Sequence, residues 1–210
     1  MPNAVILASG FPPSRETLKR AVARASLFVC ADGGANLARA YGLDPHAIVG
    51  DLDSATAETL RHFAGAAILK DVDTERTDTE KALEYALERG PFDELTLLGA
   101  SAGRLDHVLG HVSLLKRLRD RARVVLEDDA ARAWLARESA TFDEPAGTVV
   151  SFFAVGAAAE GVTTTNLRYP LRDRRLELGS QDSISNVVEA VPARIEIARG
   201  ELLVIVVKKP

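Results

Sequence analysis

The chain has 210 residues, of which 47% are hydrophobic and 27% charged, with a formal net charge of -4. That composition belongs to a folded protein with a full core in one domain or two, and the acidic balance argues against a nucleic-acid backbone as main partner. Cys30 is the single cysteine, so no intrachain disulfide can form; no segment has the apolar length of a membrane span, and Met1-Pro2-Asn3 lacks the charged and long apolar regions of a signal peptide. The expected location is the cytoplasm, with no membrane partner.

From Asn3 to about Arg123 short apolar runs alternate with helical patterns. Ala4–Ala8, Leu27–Ala31, Ala47–Val49, Ala66–Leu69 and Leu95–Leu98 read as strands. Ser14 to Arg24, a segment ending at Tyr41, Ala57–Phe63, Asp78–Arg89 and His107–Leu118 read as helices. Near-continuous apolar strands between helices predict an α/β domain with a mostly parallel sheet covered on both faces. Val124–Leu126 is a further apolar run, and Ala130–Ala136 reads as a short helical turn. From Gly147 the pattern is β throughout: Thr148–Val155, Val162–Thr165, Arg174–Leu178, Val187–Val191, Arg194–Ala198 and Leu202–Val207. These predict a smaller antiparallel sandwich. The expected division is residues 1–122 and 123–210.

Four segments carry candidate chemistry. Gly50-Asp51-Leu52-Asp53-Ser54 sets two carboxylates behind an apolar strand, at the sheet edge where open α/β folds place their ligands. Paired carboxylates with substrate phosphates suit magnesium. Asp32-Gly33-Gly34-Ala35-Asn36 also leaves a strand and opens a helix, so its glycines let backbone N–H groups approach an anion, and Asp32 lies at the same edge. Thr77 and Glu80 read as a capping box, which leaves Asp78 free to face that edge, while Asp71, Asp73 and Glu75 read as solvated loop charges. In Gly99–His107, Arg104 can bind phosphate through its planar fork and Asp106 can orient it or meet the nucleophile. His107 and His111 share a helix face, a zinc reading with Asp106 being weaker than packing on the sheet.

Taken in order, Ala31–Asn36, Gly50–Ser54, Thr77-Asp78 with Lys81, and Gly103–His107 make the chain resemble the thiamine pyrophosphokinase family over nearly its whole length. Val162-Thr163-Thr164 and Ser185-Asn186 resemble that family's C-terminal β-sandwich. The resemblance implies transfer of a diphosphoryl group from ATP, the co-substrate, to the hydroxyl of thiamine, giving thiamine diphosphate and AMP. It implies Mg²⁺ on Asp32, Asp51, Asp53 and Asp78, and a catalytic set of Asp51, Asp53, Asp78, Arg104 and Asp106. Nucleotide contacts are implied for Asp32, Gly33, Gly34, Asn36, Ser54, Thr77, Lys81 and His107, and thiamine contacts for Tyr169, Ser185 and Asn186. Lys81 reads equally as a helix-surface residue. The resemblance further implies a homodimer, with the acceptor pocket completed by the second subunit.

The chain departs from the family pattern at Asn166, where a Gly is usual, at Tyr169 in a segment where many relatives have Trp, at Thr74-Glu75, and at His111, where Asn is frequent. Tyr169 can still stack on a flat or cationic ring. Two other readings stand beside this one: a diphosphokinase acting on another heterocyclic alcohol such as a hydroxymethylpterin, and a nucleotide-binding module without turnover.

Overall fold

A computed structural model describes residues 2–101 and 103–208. The chain divides into two compact units, one running through Asp129 and one beginning at Ala130.

The first unit interleaves six strands with five helices: β1 (Asn3–Leu7), α1 (Arg15–Val22), β2 (Leu27–Ala31), α2 (Gly34–Tyr41), β3 (Ala47–Gly50), α3 (Ala57–His62), β4 (Ala67–Lys70), α4 (Asp78–Leu87), β5 (Glu94–Leu98), α5 (Leu105–Leu118) and β6 (Val124–Glu127). The strands pair in the order β6-β5-β1-β2-β3-β4, all parallel. β1, β2, β3 and β5 are almost wholly buried, which is why they read as unbroken apolar runs instead of alternating ones. Val5, Leu7, Phe28, Cys30 and Ile48 pack with Leu18, Ala35 and Ala38 from the helices. Burial pushes the Cys30 thiol far above its ordinary range, so it is an inert core residue. The division falls after Asp129 and not after residue 122, because β6 pairs in register with β5 and completes the parallel sheet.

Helix starts follow local chemistry. Ser14, Thr56 and Thr77 each accept the backbone N–H three residues on, satisfying donors that the first turn leaves open. Thr77 supplies only half of the expected capping box: Glu80 turns its carboxylate to Arg117, 2.8 Å away. Gly42 closes α2 in the left-handed conformation, φ 67°. The strand order reverses between β1 and β5, so a crevice opens where the chains leaving those two strands diverge.

The second unit holds β7 (Ala131–Ala136), β8 (Ser139–Phe142), β9 (Val149–Ala154), β10 (Ala159–Thr165), β11 (Arg174–Leu176), β12 (Ser183–Val187), β13 (Ala193–Glu196) and β14 (Leu202–Val207). They form two antiparallel layers, β12-β9-β14-β7 and β11-β10-β13-β8. Between them Phe142 from β8 lies 6.2 Å from the Trp134 ring on β7 and 6.0 Å from the Phe152 ring on β9. Three expectations are corrected here. Ala130–Ala136, rich in alanine, is strand β7: six pairings with β14 override its helical propensity. The strand expected at Val187–Val191 lies earlier, at Ser183–Val187, where the chain pairs with β9. Strand β8 has no counterpart in the sequence reading; its pairing with β13 makes a strand of a segment with little apolar content. Among the described residues no helix is long and apolar enough to cross a membrane.

Candidate active site

Three carboxylates meet at the carboxyl edge of the parallel sheet. Asp32 leaves β2 with φ 41°, a conformation short polar side chains tolerate, and is 2% exposed. Its two oxygens accept the backbone N–H groups of Ala55 and Ser54 at 3.1 and 3.0 Å. Burial pushes its carboxyl above the usual range, those N–H groups oppose the shift, and the nearby Asp78 charge adds to it. Asp51 leaves β3, and its backbone N–H donates to Asp78 Oδ1 at 3.3 Å. Asp78 is the first residue of α4, where the helix N-terminus favours negative charge. Asp32, Asp51 and Asp78 each offer an oxygen within 4.8 Å of the others.

Asp53, grouped with these three on sequence, lies outside the cluster. Leu52 takes φ 64°, Asp53 N–H donates back to Asp51 Oδ1, and the Asp53 carboxylate accepts the Ser54 hydroxyl at 2.8 Å. The turn sends the second carboxylate of the D-x-D pair toward solvent. The remaining set is all carboxylate oxygen, and Asp32 and Asp78 keep acceptor capacity beyond their existing bonds, so the donors fit a hard divalent cation.

Asp51 and Asp78 line a cavity of about 760 Å³ at the point where the strand order reverses. Its other walls are Ser9 to Phe11 after β1, Gly99, Ala100 and Gly103 after β5, and Asp73 to Thr77 before α4. Arg104, His107 and His111 close it from α5. Arg104 is 73% exposed in its side chain and pairs with Asp106 through two bonds, Nε to Oδ1 at 3.2 Å and an amino nitrogen to Oδ2 at 2.5 Å. The Arg104 guanidinium holds the Asp106 carboxyl below its ordinary range.

Several residues expected to contact the nucleotide also brace the fold, and Lys81 lines the cavity as well. Lys81 is buried, and its ammonium donates to the Asp71 carbonyl at 2.8 Å and to Asp78 Oδ1 at 3.1 Å. It neutralises Asp78 and fixes the loop before α4, so it is not the helix-surface residue that its spacing allowed. Asn36 spends its amide on the Ser54 carbonyl and the Thr56 N–H. Gly34 lets α2 approach β1: a Cβ there would lie 2.2 Å from the Leu7 carbonyl oxygen.

The loop charges are ordered too. Arg76 clamps Asp73 and Asp71 at 2.8 and 3.0 Å, while Asp71 and Asp73 each accept the N–H two residues on. Arg76 and Phe11 both line the cavity, and the sequence motifs name neither. The alternation of acidic residues ending in Arg76 is the available signal for the first; a lone exposed phenylalanine offers none.

His111 is 6% exposed, and its Nδ1 lies 2.8 Å from the Ala100 carbonyl. A carbonyl only accepts, so Nδ1 carries the proton. Burial lowers the His111 pKa, the hydrogen bond to the Ala100 carbonyl partly opposes that shift, and the neighbouring His107 adds to it. Its ring joins no metal-holding group among the described residues. A depressed folded value favours the neutral ring, so the stability it contributes is present above the unfolded value of about 6.5 and is lost as pH falls toward the folded one. The melting temperature of the wild type should therefore drop on acidification below about pH 6.5 by more than that of His111→Asn, read by thermal scans across that range.

The second unit presents a separate surface. Asn186, 1% exposed, grips the Tyr169 backbone from both sides: Nδ2 donates to its carbonyl at 2.7 Å, and Oδ1 accepts its N–H at 3.0 Å. Thr164 accepts Leu171 N–H and Thr163 accepts Asp173 N–H, bracing the same loop. Tyr169 itself is 60% exposed. Asn166 sits at φ 59°, a left-handed conformation that asparagine tolerates. Ser185 has φ 57° in the bulged strand β12 and is exposed, next in sequence to the Asn186 that holds Tyr169.

The model of the thiamin pyrophosphokinase catalytic domain matches residues 18–126, and that of the thiamin pyrophosphokinase vitamin B1 binding domain matches residues 139–202. Thiamine pyrophosphokinase 1 of Oryza sativa subsp. japonica is 31% identical, the match covering 82% of this chain and 75% of that protein. Thiamine pyrophosphokinase of Bacillus subtilis is 27% identical, with 86% of each covered. The fold is that of the crystal structures of thiamine pyrophosphokinase from Bacillus subtilis, TM-score 0.87 at 24% identity over 99% of this chain and 100% of that one, and of thiamin pyrophosphokinase from Candida albicans, TM-score 0.88 at 15% identity over 99% and 89%.

Proposed function

The chain belongs to the thiamine pyrophosphokinase family, and on that premise we propose how its residues divide the work. It is an ATP-dependent thiamine diphosphokinase: the acceptor hydroxyl oxygen bonds to the β-phosphorus, the bond from that phosphorus to the α,β-bridging oxygen breaks, and AMP leaves with the electron pair. The observation that carries the assignment of parts is the convergence of Asp32, Asp51 and Asp78 within 4.8 Å at the edge of the sheet, two of them lining a cavity of about 760 Å³.

In this reading those three carboxylates hold Mg²⁺, which when bound neutralises charge on the transferred phosphates. Asp53 tunes the cluster through the turn and is not a ligand. Lys81 holds the Asp78 carboxylate in place. Arg104 swings from Asp106 to the phosphates, a bidentate exchange open to an exposed guanidinium. Gly99, Ala100, Gly103 and the backbone after β1 border the nucleotide. Tyr169, positioned by Asn186, stacks on the acceptor ring.

Incubation with Mg-ATP and either thiamine or a hydroxymethylpterin, with detection of AMP and the diphosphorylated product, tests the reading. Thiamine diphosphate and AMP in equal amounts are expected. Product from the pterin alone, or none from either, overturns it. The match to a vitamin B1 binding model favours thiamine.

Arg104→Lys should not be conservative. Lysine replaces a two-pronged donor by a point charge, so kcat/KM for ATP should fall by about 10- to 100-fold, roughly the 1.4 to 3 kcal/mol of a charge-assisted bond. Unchanged steady-state kinetics would remove Arg104 from the phosphate site.

We further place the enzyme in the cytoplasm, in keeping with its single buried cysteine, and as a homodimer in which ring-recognising and phosphate-handling residues come from different copies. Mixing inactive Asp51→Asn protein with inactive Asn186→Ala protein should then restore activity once subunits exchange. Mixed dimers that form and stay inactive exclude shared sites.

A further inference from the structure

Beside Tyr169 the second unit carries a cavity of about 500 Å³, within the range of small-molecule sites, and one of its walls is Asp182, immediately before β12. The Oδ1 atom of Asp182 is buried and has no hydrogen-bond donor among the described residues. Buried carboxylate oxygens are rarely left so, because desolvation is then uncompensated; where one persists at a cavity, a ligand donor is a natural complement. The surrounding frame is built and not incidental. Asn186 grips the Tyr169 backbone, and the bulge between Ser183 and Asn186 sets the start of β12.

Two arginines also line this cavity, and they bear on what it takes. Arg174 donates to Gln181 at 3.3 Å, and Arg172 is exposed. An anion would be drawn to the arginines but would leave the Asp182 oxygen unsatisfied and repel it. A flat heterocycle bearing an exocyclic amino group satisfies both other features, stacking on Tyr169 and donating N–H to the carboxylate.

We infer that Asp182 is a specificity-determining residue of the acceptor site, accepting a hydrogen bond from the amino group of the heterocycle that stacks on Tyr169. The inference rests on the thiamine diphosphokinase reading and deepens it. Nothing in the family motifs points to Asp182; its buried, donorless oxygen does.

The experiment compares wild type with Asp182→Asn and Asp182→Ser, using thiamine and the analogue in which a carbonyl oxygen replaces the ring amino group. In both variants KM for thiamine should rise at least tenfold, KM for ATP should change less than twofold, and the preference for thiamine over the oxo analogue should shrink. The melting temperature should hold or rise, because the oxygen altered has no donor in the fold to lose. An active wild type with a thiamine KM unchanged in both variants overturns the role of Asp182. So does a lowered melting temperature with the amino-over-oxo preference intact, the mark of a merely structural residue. A wild type inactive on thiamine overturns the function reading itself, a separate and distinguishable failure.

Discussion

Asp51→Asn and Asp78→Asn should each lower kcat by about 10²-fold or more while the melting temperature moves by only about 2 to 4 °C. Each removes one charged oxygen from a group whose members lie within 4.8 Å, and neither side chain belongs to the apolar core. Metal binding supplies a second readout. A cation that binds only the folded state stabilises it by RT ln(1 + [L]/Kd), about 2.7 kcal/mol at a hundredfold excess over Kd. Wild type should gain several degrees of melting temperature on Mg²⁺ addition, and both variants should lose most of that gain. The Asp78 charge adds to the burial that raises the Asp32 carboxyl, so Asp78→Asn relieves that repulsion while weakening the pair with buried Lys81, and the two effects oppose each other in the metal-free protein. Full turnover in both variants would dismiss the three-carboxylate site.

Gly50→Ala should be nearly as damaging, for a steric reason. Gly50 takes φ 155°, and a Cβ there would lie 2.8 Å from the Asp32 Cβ and 3.0 Å from the Asp78 carboxylate. The methyl group would wedge apart two of the carboxylates that the cluster needs together. Overpacking of this kind costs about 1–3 kcal/mol, added to the backbone strain of an alanine in glycine's region. Gly90 provides the control: it has φ 152°, and a Cβ added there would meet nothing within 4 Å, so Gly90→Ala carries the backbone cost alone. The expected result is a comparable strain term in both variants but loss of Mg²⁺-dependent stabilisation and of turnover only in Gly50→Ala. Equal activity in the two would show that the spacing at Gly50 does not matter.

Much is legible in the residues themselves. Fully buried parallel strands have to be continuous apolar runs, so β1, β2, β3 and β5 stand out in the sequence, and the helices that alternate with the strands imply the parallel sheet. The carboxyl ends of those strands carry Asp32 and Asp51, and a threonine cap sets Asp78 at a helix start, so the location of the acidic cluster follows from local chemistry. Asn166 standing for glycine is interpretable for the same reason, since its φ of 59° is one that asparagine tolerates.

Tertiary structure alone decides the rest. A turn at Leu52 removes Asp53 from the cluster, and φ at one residue has no signature in a D-x-D spacing. Burial decides that Lys81 is a brace for Asp78, because a lysine on a helix reads the same whether its neighbours are protein or water. Ala131–Ala136 has helical propensity worth tenths of a kcal/mol per residue, which a full ladder to β14 outweighs. The donorless oxygen of Asp182 belongs to this class too: a sequence names the carboxylate, but whether a donor reaches it depends on the packing of β12 and the Tyr169 loop, brought together across the fold.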